Sequence, residues 1–198
     1  YSKKNAPGLI SRPYGIALDV SDNKVYWTDV ATRSIQRAPM SGGTAADVED
    51  LVSSKKFPGL KHFNSIRGIA LDPGNDRMYW AIFLPGKIQY TDLDGNNAPV
   101  ALKQKDVDGD ITNLSIEADN KLTRPEWVAI DPHDDTLYWT QTRTHLVAIK
   151  RAKLDLTSNV TEAETVVDFL DIHATAHVNK PTGLALVYSL SGAAPSAT

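Results

Sequence analysis

Cysteine is absent from all 198 residues. That excludes a disulfide scaffold, a thiolate metal site and a cysteine nucleophile. It leaves the compartment open, because a chain with enough core can live outside the cell without disulfides. An excess of one charge is also missing. Lys and Arg number 21 against 24 Asp and Glu, a net charge of −3, so no basic field is present to attract nucleic acid. No apolar run approaches the ~18 residues that a membrane helix needs. Enzyme signatures are equally scarce. None of the five histidines has HExxH spacing, and neither G-x-S-x-G nor a P-loop occurs. His173 and His177 have the i, i+4 spacing of helical metal ligands, but no acid lies between them and they fall in a connecting segment. The chain starts at Tyr1 and not at Met. It is therefore expected to be a processed product or a segment of something longer.

What the sequence does contain is repetition. Residues 13–29 read PYGIALDVSDNKVYWTD, 66–82 read IRGIALDPGNDRMYWAI, and 125–141 read PEWVAIDPHDDTLYWTQ. A weaker fourth copy, PTGLALVYSL, starts at Pro181. Trp27, Trp80 and Trp139 recur at intervals of 53 and 59 residues, as do Asp19, Asp72 and Asp131. Periods of roughly 40–50 residues mark propellers built from four-stranded blades, and the longer intervals here require extended connecting loops.

One copy can be read as physics. Gly15–Asp19 is short and apolar on both faces, the pattern of a strand buried on both sides. Ser21-Asp22-Asn23 is a turn cluster. Val25–Asp29 is β-branched and aromatic, with Val25, Trp27 and Asp29 on one face and Tyr26 and Thr28 on the other. A half-polar third strand follows at Ser34–Ala38, Lys87–Thr91 and Leu146–Lys150. Turn residues then lead to a fourth at Glu49–Val52, Ala98–Leu102 and Glu164–Val167. Two of these outer segments have a competing helical reading. Thr161–Glu164 fits a capping box, and Ala45–Val52 is ambiguous, so a short helix in either place is the alternative to strand.

The pattern P-x-G-[IL]-A-[LV]-D, N-x-[LV]-Y-W-T-D, I-x-R, L-V resembles the YWTD propeller repeat, also called the low-density-lipoprotein-receptor class B repeat. It appears at Pro13–Asp19, Asn23–Asp29, Ile35-Gln36-Arg37 and Leu51-Val52. The second copy departs at Ala81-Ile82, and the third at Gln141 and Trp127. The resemblance covers about residues 12–190 and implies an all-β fold of the six-bladed YWTD type. About three complete blades are present (repeats 12–65, 66–123 and 124–180), with the start of a fourth at 181–190 and a linker-like tail at 191–198. It also implies that Trp27, Trp80, Trp139 and Asp29 are structural. That agrees with the energetics, since truncating a buried Trp costs about 3–5 kcal/mol and a buried carboxylate must be hydrogen-bonded. Six blades need about twice this length. Either the chain is a segment, or two copies join, or another chain supplies the remaining blades.

Candidate binding residues follow from the fold. Propellers bind at one face of the ring through loops near the channel. The approaches to the inner strands hold Arg12 and Tyr14, His62 and Arg67, Arg124, Glu126 and Trp127, and Lys180. Facing one channel, these would form a positive ring with aromatic edges, suited to an acidic peptide or carboxylate. Paired with neighbouring acids, they would be merely structural. The insertion at 103–123 carries Asp106, Asp108 and Asp110, alternating carboxylates that could chelate calcium, with a solvated turn as the alternative. Asn113-Leu114-Ser115 and Asn159-Val160-Thr161 are glycosylation sequons. The expected function is non-enzymatic protein recognition or assembly at the cell surface or outside the cell, with no cofactor. The alternatives are a structural subunit that completes its ring with another chain, and a metal-dependent lactonase- or hydrolase-like propeller. Enzymes of that kind need carboxylates and an Asn converging on the channel, and Glu126 is the one acid in an inner-strand approach, which argues against the last.

Overall fold

The computed structural model describes residues 8–105, 111–113, 124–143, 146–154, 159–160 and 164–168. Its first sheet contains β1 (Pro13–Asp19), β2 (Lys24–Asp29), β3 (Ser34–Pro39) and β4 (Glu49–Ser53), paired antiparallel in chain order. The second contains β5 (Ile66–Asp72), β6 (Arg77–Ile82), β7 (Lys87–Thr91) and β8 (Val100–Ala101) in the same order. Next along the chain come β9 (Lys103–Lys105) and β10 (Ile111–Asn113). They are followed by β11 (Arg124–Asp131), β12 (Thr136–Arg143), β13 (Leu146–Lys153), β14 (Asn159–Val160) and β15 (Glu164–Asp168). The third four-stranded sheet is β11-β12-β13-β15. These three sheets are blades 1, 2 and 3.

The ambiguous outer segments resolve by division. Ala45–Asp47 is a 3₁₀ turn with a reciprocal capping box between Thr44 and Asp47, and the chain becomes strand from Glu49. Glu164–Asp168 is strand and pairs with β13. The insertion after blade 2, expected to be a loop, instead forms a hairpin. β9 and β10 pair antiparallel and β14 joins β9 in parallel, a small sheet outside the blades. The partial fourth repeat and the tail lie outside the described residues.

Blades pack face to face through two apolar clusters. Tyr26, Ile35, Leu51 and Val52 of blade 1 meet Ile66, Ile69, Met78 and Trp80 of blade 2. Tyr79, Ile88 and Leu102 of blade 2 meet Val128, Leu137 and Trp139 of blade 3. This explains why each inner strand is apolar on both sides. At blade 1 one of those sides is open, with Ile16 at 64%, Leu18 at 56% and Val20 at 75% exposure. Their repeat equivalents in blade 2 include Ile69, which is buried against blade 1.

Polar contacts lock the first seam. Arg37 of β3 pairs with Glu49 at 2.8 Å and reaches into blade 2 to Asp94 at 2.6 Å and the Leu93 carbonyl at 3.2 Å. Burial opposes its charge, but Glu49, Tyr26 and Asp94 hold its pKa raised. The same turn carries Gly95 at φ +62°, where any Cβ would collide with the Leu51 carbonyl. Glycine there serves both the left-handed turn and the close approach.

Each inner strand carries the same β-bulge. The register jumps between Pro13 and Ile16, between Ile66 and Ile69, and between Pro125 and Val128. Two residues therefore oppose one at Tyr14-Gly15, Arg67-Gly68 and Glu126-Trp127. A bulge bends the strand and re-aims a side chain, which makes it a common device beside binding sites. In blade 1 the unladdered Gly15 N–H donates to Thr28 Oγ1 at 2.9 Å, and Thr28 Oγ1 donates to the Arg67 carbonyl of blade 2 at 2.7 Å. In blade 3 Trp127 N–H donates to Thr140 Oγ1 at 3.1 Å. The threonine of the repeat thus satisfies the bulge.

Candidate functional site on the channel face

The three bulges bring three blades together at the N-terminal ends of the inner strands. A Cβ built on Gly15 would lie 2.8 Å from Gly68 Cα, and one on Gly68 would lie 2.8 Å from Trp127 Cα. These backbones approach too closely for side chains at positions 15 and 68, so glycine occupies both. Blade 3, the last of the described blades, carries Trp127 instead. Its ring reaches back to Tyr14 of blade 1, with centroids 5.7 Å apart.

The preceding bulge position carries Tyr14, Arg67 and Glu126 in blades 1, 2 and 3. The Arg67 guanidinium lies 4.8 Å from the Tyr14 ring centre and 5.0 Å from that of Phe83. The Arg124 guanidinium also lies over the Phe83 ring, 5.4 Å from its centre. All three distances are within reach of a cation–π attraction. Arg67 also donates to the Ile66 carbonyl at 2.9 Å, which fixes its stem. No described carboxylate forms an ion pair with Arg67 or Arg124. Burial raises the Tyr14 hydroxyl pKa, Glu126 raises it further, and Arg67 works against both. Glu126 itself is buried, at 6% exposure. The arrangement is a pair of guanidinium groups held on aromatic rings, with the buried Glu126 at the equivalent bulge position of blade 3.

The remaining sequence candidates are placed as follows. Arg12 is exposed, and its backbone N–H donates to Asp29 Oδ2 at 2.9 Å. Arg12 and Arg124 share a repeat position, whereas Arg67 aligns with Tyr14 and Glu126, so the basic residues do not repeat at one position. His62 is exposed with a left-handed backbone, φ 68°, ahead of the 3₁₀ turn Phe63–Ser65. Lys180 and the aspartates at 106, 108 and 110 lie outside the described residues. Among the described residues no group of three or more His, Asp or Glu side chains could hold a metal ion. Asn113 and Asn159 occupy one row of the small sheet, each opposite Lys103.

Phe83 was missed in the sequence. It follows Ile82, where the repeat loses its aspartate, and it replaces Val30 of blade 1 with an aromatic. That substitution was the available signal.

The structural residues behave as their chemistry requires. Asp29 is fully buried. It accepts N–H bonds from Ser11 at 2.7 Å, Arg12 at 2.9 Å, Ala31 at 2.9 Å and Thr32 at 3.0 Å. Burial alone would raise its pKa, and these four donors instead hold it below the usual carboxylate value. Trp80 and Trp139 are buried between blades, while Trp27 donates to Gln36 Oε1 at 3.0 Å.

Successive four-stranded antiparallel sheets, stacked face to face through their inner strands, define part of a β-propeller. No family model matches the chain. Protein cueball of Drosophila willistoni is 27% identical over 123 residues, 58% of this chain and 17% of that protein. Nidogen-2 of Mus musculus is 38% identical over 86 residues, 43% of this chain and 6% of that protein. The chain thus spans less than a fifth of either relative. Among solved structures, a nidogen/laminin complex matches with a TM-score of 0.58 and 22% identity, over 79% of this chain and 48% of that one. A gluconolactonase of Xanthomonas campestris shares the fold, with a TM-score of 0.52 and 14% identity over 80% of this chain and 48% of that one. Together with the repeats at Trp27, Trp80 and Trp139, the likeness to nidogen-2 supports a YWTD-type propeller family.

Proposed function

We propose that this chain is an extracellular protein-recognition module that takes an acidic segment of a partner on its channel face. The observation that carries the reading is the Arg67 guanidinium, held between Tyr14 and Phe83 with no described carboxylate paired to it. An oriented guanidinium whose hydrogen-bonding edges are uncommitted to an acid is a strong carboxylate receptor. Arg124 on the same ring supplies a second charge. The likeness to nidogen-2, the class B repeat pattern and the two sequons support an extracellular setting. Laminin, the partner in the nidogen complex, is the first probe to try. Surface plasmon resonance on immobilised laminin should give a saturable response that Arg67→Gln with Arg124→Gln weakens about tenfold or more. An unchanged response in that double variant would remove the channel face from the reading. The gluconolactonase shares only the fold. Lactone hydrolysis by this chain that disappeared in Glu126→Gln would replace recognition with catalysis.

A second reading concerns the open side of blade 1. We infer that it takes a further blade of the same repeat. The exposed Ile16 and Leu18 continue into a cleft of about 390 Å³ lined by Ile10, Tyr14, Val25 and Trp27. The nidogen propeller it superposes on is about twice as long as the matched region. Light scattering on a sizing column reads the outcome. Ile16→Glu with Leu18→Glu should convert an associated species to monomer, and a wild-type monomer whose solubility those changes leave untouched would count against the inference.

A further inference from the structure

A second cleft lies away from the channel, at the seam between blades 1 and 2. Its walls are residues 56–61 of the β4–β5 connection, Lys87 and Gln89 of β7, and Ala98-Pro99 before β8. Its volume is about 470 Å³, inside the range of roughly 300–1,000 Å³ typical of ligand-holding clefts. Three lysines line it, Lys56, Lys61 and Lys87, and no described carboxylate forms an ion pair with any of them. Between them the wall is apolar, built from Phe57, Leu60 and Pro99.

One buried polar group adds an independent pointer. Gln89 is only 8% exposed, lines the cleft, and has an Oε1 with no hydrogen-bond partner. The equivalent side chain in blade 1, Gln36, accepts the indole N–H of its cross-strand neighbour Trp27 at 3.0 Å. Gln89 faces Trp80 across the same ladder position, yet the Trp80 N–H is also unpartnered. The repeat's own bond is therefore unmade in blade 2, and the amide of a residue lining the cleft keeps an acceptor without a partner. Buried acceptors without partners are uncommon enough to need a cause.

We propose that this cleft binds an extended acidic peptide segment of a partner protein. Carboxylates lie on Lys56, Lys61 and Lys87, the Gln89 amide turns into the cleft so that its Oε1 accepts a backbone N–H, and an apolar side chain covers Phe57 and Pro99. A peptide supplies all three elements at once. A sulfated saccharide supplies charge alone and leaves the apolar wall bare. The site is independent of the channel face, which uses Arg67 and Arg124.

The test uses the full chain and a fluorescein-labelled octapeptide alternating glutamate with leucine, followed by anisotropy at low ionic strength. Saturable binding is expected with a Kd of about 10–500 µM. Lys56→Glu, Lys61→Glu and Lys87→Glu combined should weaken it at least about tenfold, and added salt should weaken it in the wild type. Gln89→Leu should weaken it about three- to tenfold without changing the salt dependence. In an Arg67→Gln/Arg124→Gln background, which removes the carboxylate receptor of the channel face, the lysine-dependent binding should persist, and this separates the two sites. Circular dichroism melting checks each variant's fold, and the milder Lys→Gln triple replaces the charge reversal if that variant melts early. No saturable binding below about 1 mM overturns the proposal. So does binding that survives in the folded triple variant or disappears only in the arginine variant. Tighter binding of a heparin octasaccharide, indifferent to Gln89→Leu, overturns the peptide assignment.

Discussion

Blade 1 holds Asp29 at the corner where its inner strand begins, and blade 2 holds Ile82 at the same repeat position. The backbone bond that closes the corner is present in both. Val30 N–H donates to the Arg12 carbonyl at 3.1 Å, and Phe83 N–H donates to the Ser65 carbonyl at 2.9 Å. What differs is the side chain that fixes it. In blade 1 Asp29 gathers four N–H groups from the two arms of the corner. In blade 2 the hydroxyl of Ser65 does this from the other arm, donating to the Leu84 carbonyl at 2.7 Å and accepting Leu84 N–H at 3.3 Å. Thr28, which satisfies the bulge in blade 1, likewise has the counterpart Ala81. The repeat conserves a set of backbone groups needing partners more strictly than it keeps the residues that partner them.

The comparison can be broken at its strongest point first. Asp29→Ala leaves four inward N–H groups without an acceptor and is expected to cost about 3–4 kcal/mol in urea unfolding. The contribution is also pH-dependent. Because the Asp29 pKa is depressed on folding, its stabilisation is fully present above the unfolded value of about 3.9 and is lost as pH falls through the lower folded value. Unfolding curves of wild type and Asp29→Asn should therefore begin to approach each other only as pH falls below about 4, and meet below the depressed folded value. A gap that stayed constant down to the acid transition would show that Asp29 acts through shape alone. Ser65→Ala, the matching deletion in blade 2, removes one hydroxyl and should cost only about 1–2 kcal/mol. A cost equal to that of Asp29→Ala would mean that the two corners carry the same load. Thr28→Val strands the Gly15 N–H and should cost about 1–1.5 kcal/mol, read from the same unfolding curves. The smallest contrast is Gln36→Leu against Gln89→Leu. The first breaks the bond to Trp27, costing about 1 kcal/mol, while the second removes an unpartnered acceptor and should be within about 0.5 kcal/mol of neutral. Equal losses would show that Gln89 holds Trp80 in solution.

Strand positions were legible because their signals are local. Val25-Tyr26-Trp27 alternates and is bulky, and the turn residues that follow Asp19, Asp72 and Asp131 are short and polar. The bulges were not legible, since a two-against-one count is a property of register, and nothing in Tyr14-Gly15 or Glu126-Trp127 announces it. Ser65 escaped notice for a related reason. It lies outside the motif and does the work of a residue inside it. The small sheet leaves no periodic signal in the sequence, because β9 pairs with Asn159–Val160, a partner too short and too distant to show one. Of the channel-face candidates, Tyr14, Arg67, Arg124 and Trp127 could be named because aromatic and basic residues cluster before each inner strand. Phe83 could not, because it reaches the site from the β6–β7 turn.

The contact of Gly95 with the Leu51 carbonyl, backed by Arg37 between Glu49 and Asp94, has a consequence for how the molecule opens. The outer strand of one blade and the hairpin of the next are fastened to each other there, so neither can detach without exposing the other. In an array whose units couple only to neighbours, such a rivet enlarges the smallest piece that opens cooperatively. Amide protons of β4 and of the β7–β8 hairpin are then expected to exchange with solvent as one group, making the unit of motion a seam and not a blade.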